Sequence, residues 1–262
     1  MAGTYSNCSN LTGSPVCGDN VANMAYTYDN CCNLTGSHAC GKNVSYMYYT
    51  YYNCRNLSGS PVCGDNVVNM YSTYRFCTNL TGSPVCGDNV TNMDSTYRFC
   101  YSLSGEPVCG SNVTNMSFTY NGCSNLTGSP VCGEKVTNMY STYENCYNLT
   151  GSPACGKNVS YMRGTYRNCV NLYGNMYMYS ANVYDVSNCF AGRNTYNMLN
   201  IYVTANSTSQ TTLMNYTNDY SIIGKNCTWT HDTTNNRYYN TEANIYIYPV
   251  ENVTAARAVN GD

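Results

Sequence analysis

Apolar residues recur along this chain in fixed columns, and the columns return every 23 positions without insertion from Cys8 onward. Leu34, Leu57, Leu80, Leu103 and Leu126 fill one column, and Val67, Val90 and Val113 a second. Met70, Met93 and Met116 fill a third, and Tyr74, Tyr97 and Tyr120 a fourth, with Asn, Ser, Thr and Gly between them. Seven full copies begin at Cys8, Cys31, Cys54, Cys77, Cys100, Cys123 and Cys146, and a degenerate eighth begins at Cys169. A period of this length held in register predicts a repeat solenoid, because each unit can bury its apolar side only against its neighbours. Equivalent side chains would then lie one above another at about 4.8 Å, as continuous ladders.

Within a copy, Val, Met and Tyr fall at i, i+3 and i+7, a helical interval that predicts one short helix or 3₁₀ turn per coil. The Leu-Thr-Gly-Ser-Pro-Val-Cys stretch is the expected short strand, although Gly and Pro make it a poor one. Two glycine columns, starting at Gly13 and Gly18, and a proline column starting at Pro15 mark the corners. Glycine is expected there for positive φ, and proline because it presets its own.

The register loosens after Cys169. Phe190 takes the tyrosine position, and Asn182-Val183-Tyr184-Asp185-Val186 echoes the Asn-Val part of the copy. Leu199 to Val203 alternates as a strand, and a short helix is expected around Leu213 and Met214. Further alternating runs, Tyr220 to Trp229 and Asn244 to Tyr248, bracket a polar turn from Asp232 to Arg237. The expected organisation is a lead-in over 1–7, repeats over 8–193, and a β-rich cap or attachment module over 194–262. Only Met1 to Asn7 are available to cover the first coil, so its Leu11 face is expected to be open, a candidate surface for self-association.

The motif Asn89-Val90-Thr91-Asn92-Met93 followed by Cys100 resembles the BspA-like class of leucine-rich repeats of bacterial surface proteins, and similar arrays occur in proteins encoded by gut bacteriophages. The resemblance covers residues 8 to about 193. It implies leucine-rich-repeat-like coils used for adhesion or receptor contact at a cell surface or on a virion, with no catalytic role for the repeat. This chain has Gly, Ser and Pro where that family alternates aliphatics.

The composition narrows the function classes. Thirty Tyr and 18 Cys stand beside only 10% charged residues, so the surface is polar through Asn, Ser, Thr and Tyr. A net charge of −2 leaves no basic face for phosphates, which argues against nucleic acid. The N-terminus carries no basic region followed by an apolar run, and no stretch reaches about 18 apolar residues, so neither a secretory signal nor membrane insertion is expected.

Fifteen cysteines occupy two columns, Cys8 to Cys169 and Cys17 to Cys155. Zinc is disfavoured, since no CxxC or His spacing appears and the histidines are His38 and His231 alone. Disulfides between stacked equivalents are within reach, and small buried hydrophobes at tight corners are the simpler reading. Cys32 lies outside the columns and is the candidate reactive thiol.

The pair after Met varies freely from copy to copy, which reads as exposure. Tyr26, Tyr48, Tyr49, Tyr71, Phe118, Tyr140 and Arg163 are the candidate binding ridge, since Tyr offers large contact area at low entropy cost. A protein or glycan receptor is the expected partner, and a structural spacer or phage-tail assembly subunit is the alternative. No cofactor is expected, and no catalytic constellation appears: in His231-Asp232 adjacent residues would face opposite ways.

Overall fold

The computed structural model describes residues 1–215 and 221–262. The chain forms two compact units, Met1–Thr127 and Gly128–Asp262. This boundary falls inside the sixth copy rather than at 7/8 or 193/194.

In the first unit, successive 23-residue copies are hydrogen-bonded one on the next. The Met93, Ser95, Tyr97 and Phe99 amides donate to the carbonyls of Asn115, Ser117, Thr119 and Asn121 at 2.8–3.0 Å. Alternate amides along a segment therefore leave the copy, as in a parallel sheet. Yet neither a helix nor a strand forms before Gly174, and the copies touch there only through isolated bridges such as Asn69↔Asn92. The expected helix and strand per coil are both corrected. Ser95 (φ 56°) and Phe99 (φ 63°) are left-handed, so the segment breaks into two single turns, closed by Thr96 N–H to Met93 (3.0 Å) and Cys100 N–H to Tyr97 (3.0 Å). A residue at positive φ cannot continue a right-handed helix.

The interior is made of the columns. Leu34 is 1% exposed, and Leu57, Leu80, Leu103, Leu126, Val67, Val90, Val113, Met70, Met93, Met116, Tyr74, Tyr97 and Tyr120 are all at 0%. Burying each Leu, Val or Met side chain contributes about 1.5–3 kcal/mol. The tyrosine rings of Tyr5, Tyr28, Tyr51, Tyr74, Tyr97 and Tyr120 form one stack, with centroids 5.3–5.7 Å apart.

A threonine column, not anticipated from the pattern, bridges the copies. The Thr96 hydroxyl lies 2.9 Å from the Met70 carbonyl and 2.7 Å from that of Met93, and Thr50, Thr73 and Thr119 repeat the arrangement. One O–H proton shared between two carbonyls serves two buried acceptors at once.

The first cysteine column is also a set of donors. The Sγ atoms of Cys54, Cys77, Cys100 and Cys123 lie 2.9–3.0 Å from tyrosine carbonyls of the preceding copies. These thiols are buried and free, and burial pushes their pKa well above the usual thiol value.

Glycine acts differently in its two columns. Gly13, Gly36, Gly59, Gly82 and Gly105 have φ between 73° and 85°. The Gly18 column does not have positive φ, contrary to expectation. A Cβ on Gly41 would stand 2.5 Å from the Gly18 carbonyl oxygen, so close approach between copies excludes a side chain.

Residues 1–8 form half a copy. The Gly3, Tyr5 and Asn7 amides donate to the carbonyls of Ala25, Thr27 and Asp29 at 2.7–2.9 Å, and Tyr5 stacks on Tyr28. The other half of the first copy is open: Leu11 and Val21 are half-buried and Val16 is 68% exposed, whereas Leu34 and Val44 are buried.

In the second unit, Tyr143, Tyr166 and Phe190 continue the same kind of stack at 5.4–5.6 Å. A five-stranded sheet follows, ordered β1-β2-β5-β4-β3, from β1 (Gly174–Met178), β2 (Leu199–Thr204), β3 (Thr230–Asp232), β4 (Arg237–Asn240) and β5 (Ile245–Val250). β1, β2 and β5 are parallel, and the β3–β4 hairpin adds on antiparallel. The register puts Met176, Ile201 and Ile247 on the buried face and Tyr177, Tyr202 and Tyr248 in a stack on the other, with centroids 5.1 and 4.9 Å apart. Helix α1 (Thr208–Leu213) is capped by Ser207, and α2 (Val253–Asn260) by Asn252 and a left-handed Gly261.

The run expected from Tyr220 to Trp229 is not a strand over Ser221–Trp229, where the chain turns instead, and Tyr220 lies outside the described residues. Buried Arg193 closes this unit by donating to the carbonyls of Asn194 and Asn197 and to those of Ala243 and Asn244 at the start of β5. Burial lowers its pKa to about 10.

Candidate binding surface

The pair after each Met is the middle of a turn from Met to Thr. In the first unit its second member is left-handed in copy after copy: Tyr26 (φ 56°), Tyr49 (φ 56°), Ser72 (φ 52°), Ser95 (φ 56°) and Phe118 (φ 53°). A bulky residue at positive φ is an outlier that costs about 1–2 kcal/mol, and such strain clusters at binding sites.

Variability at these positions does not mean uniform exposure. Ala25, Ser72, Ser95, Ser117 and Ser141 are buried, because the turn tucks small side chains against the neighbouring copy. Where the side chain is aromatic it reaches outward: Tyr26 is 43% exposed, and Tyr48, Tyr49, Tyr71 and Phe118 are half-buried.

Four of the ridge residues come together. Tyr26 stacks on Tyr49 at 5.0 Å and meets Tyr48 edge-on at 5.4 Å, and Tyr49 meets Tyr71 edge-on at 5.2 Å. The Tyr49 hydroxyl donates to that of Tyr71 at 3.4 Å, and this bond, with burial, raises the Tyr49 pKa. Arg98 lies over Phe118, its Cζ 4.3 Å from the ring centroid. Tyr140, half-buried, and Arg163, exposed, belong to the second unit.

The surface extends through residues that the columns did not single out. Tyr49 contacts Tyr52 (5.2 Å), Tyr52 contacts Phe76 (5.7 Å), and Phe76 stacks on Phe99 (5.1 Å), beside which lies Tyr101 (6.1 Å), 47% exposed. Arg75 lies over Phe76 (5.0 Å) and Tyr52 (5.8 Å), and Arg98 over Phe99 (4.9 Å). The sequence signal was the motif Tyr-Arg-Phe-Cys, present at Tyr74–Cys77 and again at Tyr97–Cys100. The outcome is an aromatic sheet of side chains spanning several copies, with two guanidiniums set among the rings.

The second unit has a cleft of about 710 Å³, lined by Glu134, Lys157, Asn175, Tyr179, Arg257 and Asp262 among others. Its charged groups are engaged internally. Asp262 accepts from Asn175 (2.7 Å) and from the Tyr177 hydroxyl (2.6 Å), and Arg257 donates to the Tyr179 hydroxyl (3.1 Å).

Other sequence candidates separate. His231 stacks on Tyr238 at 4.4 Å, while Asp232 accepts from Arg237 at 3.0 Å. Cys32 is half-buried, and Cys8 is the exposed thiol. Among the described residues, no group of three or more His, Cys, Asp or Glu is placed to hold a metal ion, and no helix is long and apolar enough to cross a membrane. No family model, curated protein or solved structure matches the chain.

Proposed function

We propose that this chain is a non-enzymatic binding protein, a leucine-rich-repeat-like solenoid of the BspA-like kind with a β-rich C-terminal cap, whose aromatic surface engages a protein or glycan receptor at a cell surface. The observation that carries this reading is the ring-to-ring continuity from Tyr26 through Tyr49, Tyr52 and Phe76 to Tyr101. Single exposed aromatics need no explanation, whereas a contiguous exposed patch marks a contact surface. Tyrosine suits it, because a rigid ring loses little entropy on binding. The left-handed aromatics add to the case, since the same turn accepts Ser at Ser72 and Ser95.

The test is attachment of labelled protein to cells and to a glycan array. Replacing Tyr26, Tyr48 and Tyr71 together by Ser should abolish attachment while leaving the melting temperature within about 3 °C. Unchanged attachment would refute the reading.

A second reading, an assembly subunit such as that of a phage tail, has one observation in its favour. Leu11 and Val21 are only half-buried at the first copy, although the same columns are buried at Leu34 and Val44. Self-association through that face predicts a concentration-dependent oligomer in sedimentation, dispersed by Leu11→Glu. A monomer at all concentrations would exclude it.

A further inference from the structure

We propose that Cys17, Cys40, Cys63 and Cys86 form a row of two-coordinate sites for a soft monovalent cation such as Cu(I), each cation held between the sulfurs of two neighbouring copies. The inference goes beyond the receptor-binding reading and stands or falls apart from it.

The two cysteine columns are not alike. Thiols of the first are satisfied, with Sγ 2.9–3.0 Å from tyrosine carbonyls. In the second, the Sγ atoms of Cys17, Cys40, Cys63 and Cys86 meet only the carbonyl of the following glycine as a backbone acceptor, at 3.6–3.7 Å. That is a long contact, and these half-buried sulfurs remain within reach of solvent. A small apolar residue would fill the corner as well. Yet all seven regular copies keep Cys here, while the two preceding positions change from Pro15-Val16 to His38-Ala39 in the next copy.

The stacking sets the spacing. Parallel bridges join Asn23 to Tyr46, Tyr46 to Asn69 and Asn69 to Asn92, which holds neighbouring copies at about 4.8 Å. The sulfurs follow that register. Those of Cys17, Cys40 and Cys63 would lie 3.1, 3.0 and 3.2 Å from a Cβ on Gly41, Gly64 and Gly87, the residues directly after the next cysteine. Burial raises the pKa of Cys40 and of Cys86, and like charge on the cysteines of both neighbouring copies adds to it. A disulfide asks for Cβ atoms about 3.8 Å apart and side chains turned towards each other, whereas equivalent side chains in a ladder point the same way. Two collinear metal–thiolate bonds of about 2.3 Å span about 4.6 Å, close to what the ladder offers.

The donors select the cation. Thiolates and thioethers favour Cu(I), and Cys40 has the Met47 Sδ 3.5 Å away as a further soft donor. Zinc requires four ligands, and among the described residues no group of three or more His, Cys, Asp or Glu is placed to hold a metal ion. Loading is a proton exchange without electron transfer. One monovalent cation and two S–H groups give S–M–S with a single negative charge, and two protons leave to solvent.

The test is incubation of the reduced full chain with Cu(I) buffered by bicinchoninate under nitrogen, then prolonged N-ethylmaleimide treatment and peptide mapping. Cys17, Cys40, Cys63 and Cys86 should label at least about tenfold more slowly than without Cu(I), while the lone Cys8 loses the cation to the chelator and stays reactive. Zn(II) should protect none of the four. Affinity should rise by up to about 100-fold per pH unit from about pH 6 to about pH 8, since two protons leave per cation. Two double variants remove equal numbers of thiols and separate pairing from mere thiol content. Cys17→Ser with Cys86→Ser leaves Cys40 beside Cys63, and Cys63 should stay protected. Cys40→Ser with Cys86→Ser takes both neighbours from Cys63, and its protection should fall at least about tenfold. Equal protection of Cys63 in the two variants overturns the paired sites. Unchanged labelling of the four in the unsubstituted protein, or protection by Zn(II) equal to that by Cu(I), overturns the inference as a whole.

Discussion

The Tyr97 hydroxyl donates to the Val85 carbonyl at 2.7 Å and accepts from the Val85 amide at 3.1 Å, across the interior of a single copy. Tyr28, Tyr74, Tyr120 and Tyr143 make the same pair of bonds to Val16, Val62, Val108 and Val131. The Ser-Pro-Val side has no strand ladder, so the phenol supplies what a neighbouring strand would. This is why the column is tyrosine and not phenylalanine. Tyr97→Phe keeps the ring stack but strands both Val85 groups, and should destabilise the protein by about 1–3 kcal/mol in urea unfolding. Phe190, at the corresponding place of the degenerate copy, already lacks the hydroxyl. A stability change below about 0.5 kcal/mol would mean that water replaces the phenol.

The thiols differ in access and in pKa, and their alkylation should follow. Cys8 is exposed, Cys32 and most of the second column are half-buried, and Cys54, Cys77, Cys100 and Cys123 are fully buried. Burial pushes Cys40 up to about 11 and Cys86 up to about 12, so even the half-buried column holds little thiolate at neutral pH. Iodoacetamide on the folded protein should label Cys8 and Cys32 first and spare the buried Cys54, Cys77, Cys100 and Cys123, while unfolded protein should show all 18 thiols. Labelling of Cys77 at the rate of Cys8 would contradict the buried S–H donors.

His38 stands where other copies have proline, wedged 5.2 and 5.1 Å from the Tyr51 and Tyr74 rings, with both nitrogens buried and unpaired. Burial lowers its pKa from 6.5 to about 4. The folded state therefore resists the proton that the unfolded chain accepts. This contribution to stability is whole above about pH 6.5, falls as pH drops towards 4, and is then constant. The loss amounts to about 3 kcal/mol. Carboxylates titrate in the same range, so the informative quantity is the difference from His38→Pro, which restores the repeat residue. Chemical unfolding of the two proteins should diverge by that amount between pH 7 and pH 4, and parallel curves would show that His38 finds a partner.

Much of the interior was legible because spacing alone aligns Leu80, Val90, Met93 and Tyr97, which have no exposed surface. The local backbone was not legible. Val, Met and Tyr at i, i+3 and i+7 satisfy a helix as well as they satisfy successive turns, and only the left-handed Ser95 and Phe99 separate the two. Glycine and asparagine commonly announce such positions, but serine and phenylalanine do not. The half copy at the start was visible in principle, since Met1, Thr4, Tyr5, Asn7 and Cys8 align with Met24, Thr27, Tyr28, Asn30 and Cys31. A copy counted from the first cysteine leaves it out. The arginine pair was missed because a column read as Asp29, Tyr52, Arg75, Arg98 and Asn121 has no single character, and its meaning lies in which neighbours the stack gives it.

The Gly18 column offers a test of the stacking itself, because the same substitution should have opposite effects at two of its members. A Cβ on Gly18 meets nothing within 4 Å, since no copy covers it on that side. A Cβ on Gly41 would lie 2.5 Å from the Gly18 carbonyl oxygen and 3.1 Å from the Cys17 Sγ. Neither glycine has a positive φ, so backbone strain does not enter. Gly18→Ala should be neutral or stabilise by about 0.4–1 kcal/mol, through lower entropy of the unfolded chain. Gly41→Ala must push two copies apart along a ladder with no slack, at a cost of about 1–3 kcal/mol. Thermal melts of the two variants should move in opposite directions, and equal shifts would mean that the copies are not packed as closely as the Gly41 contact requires.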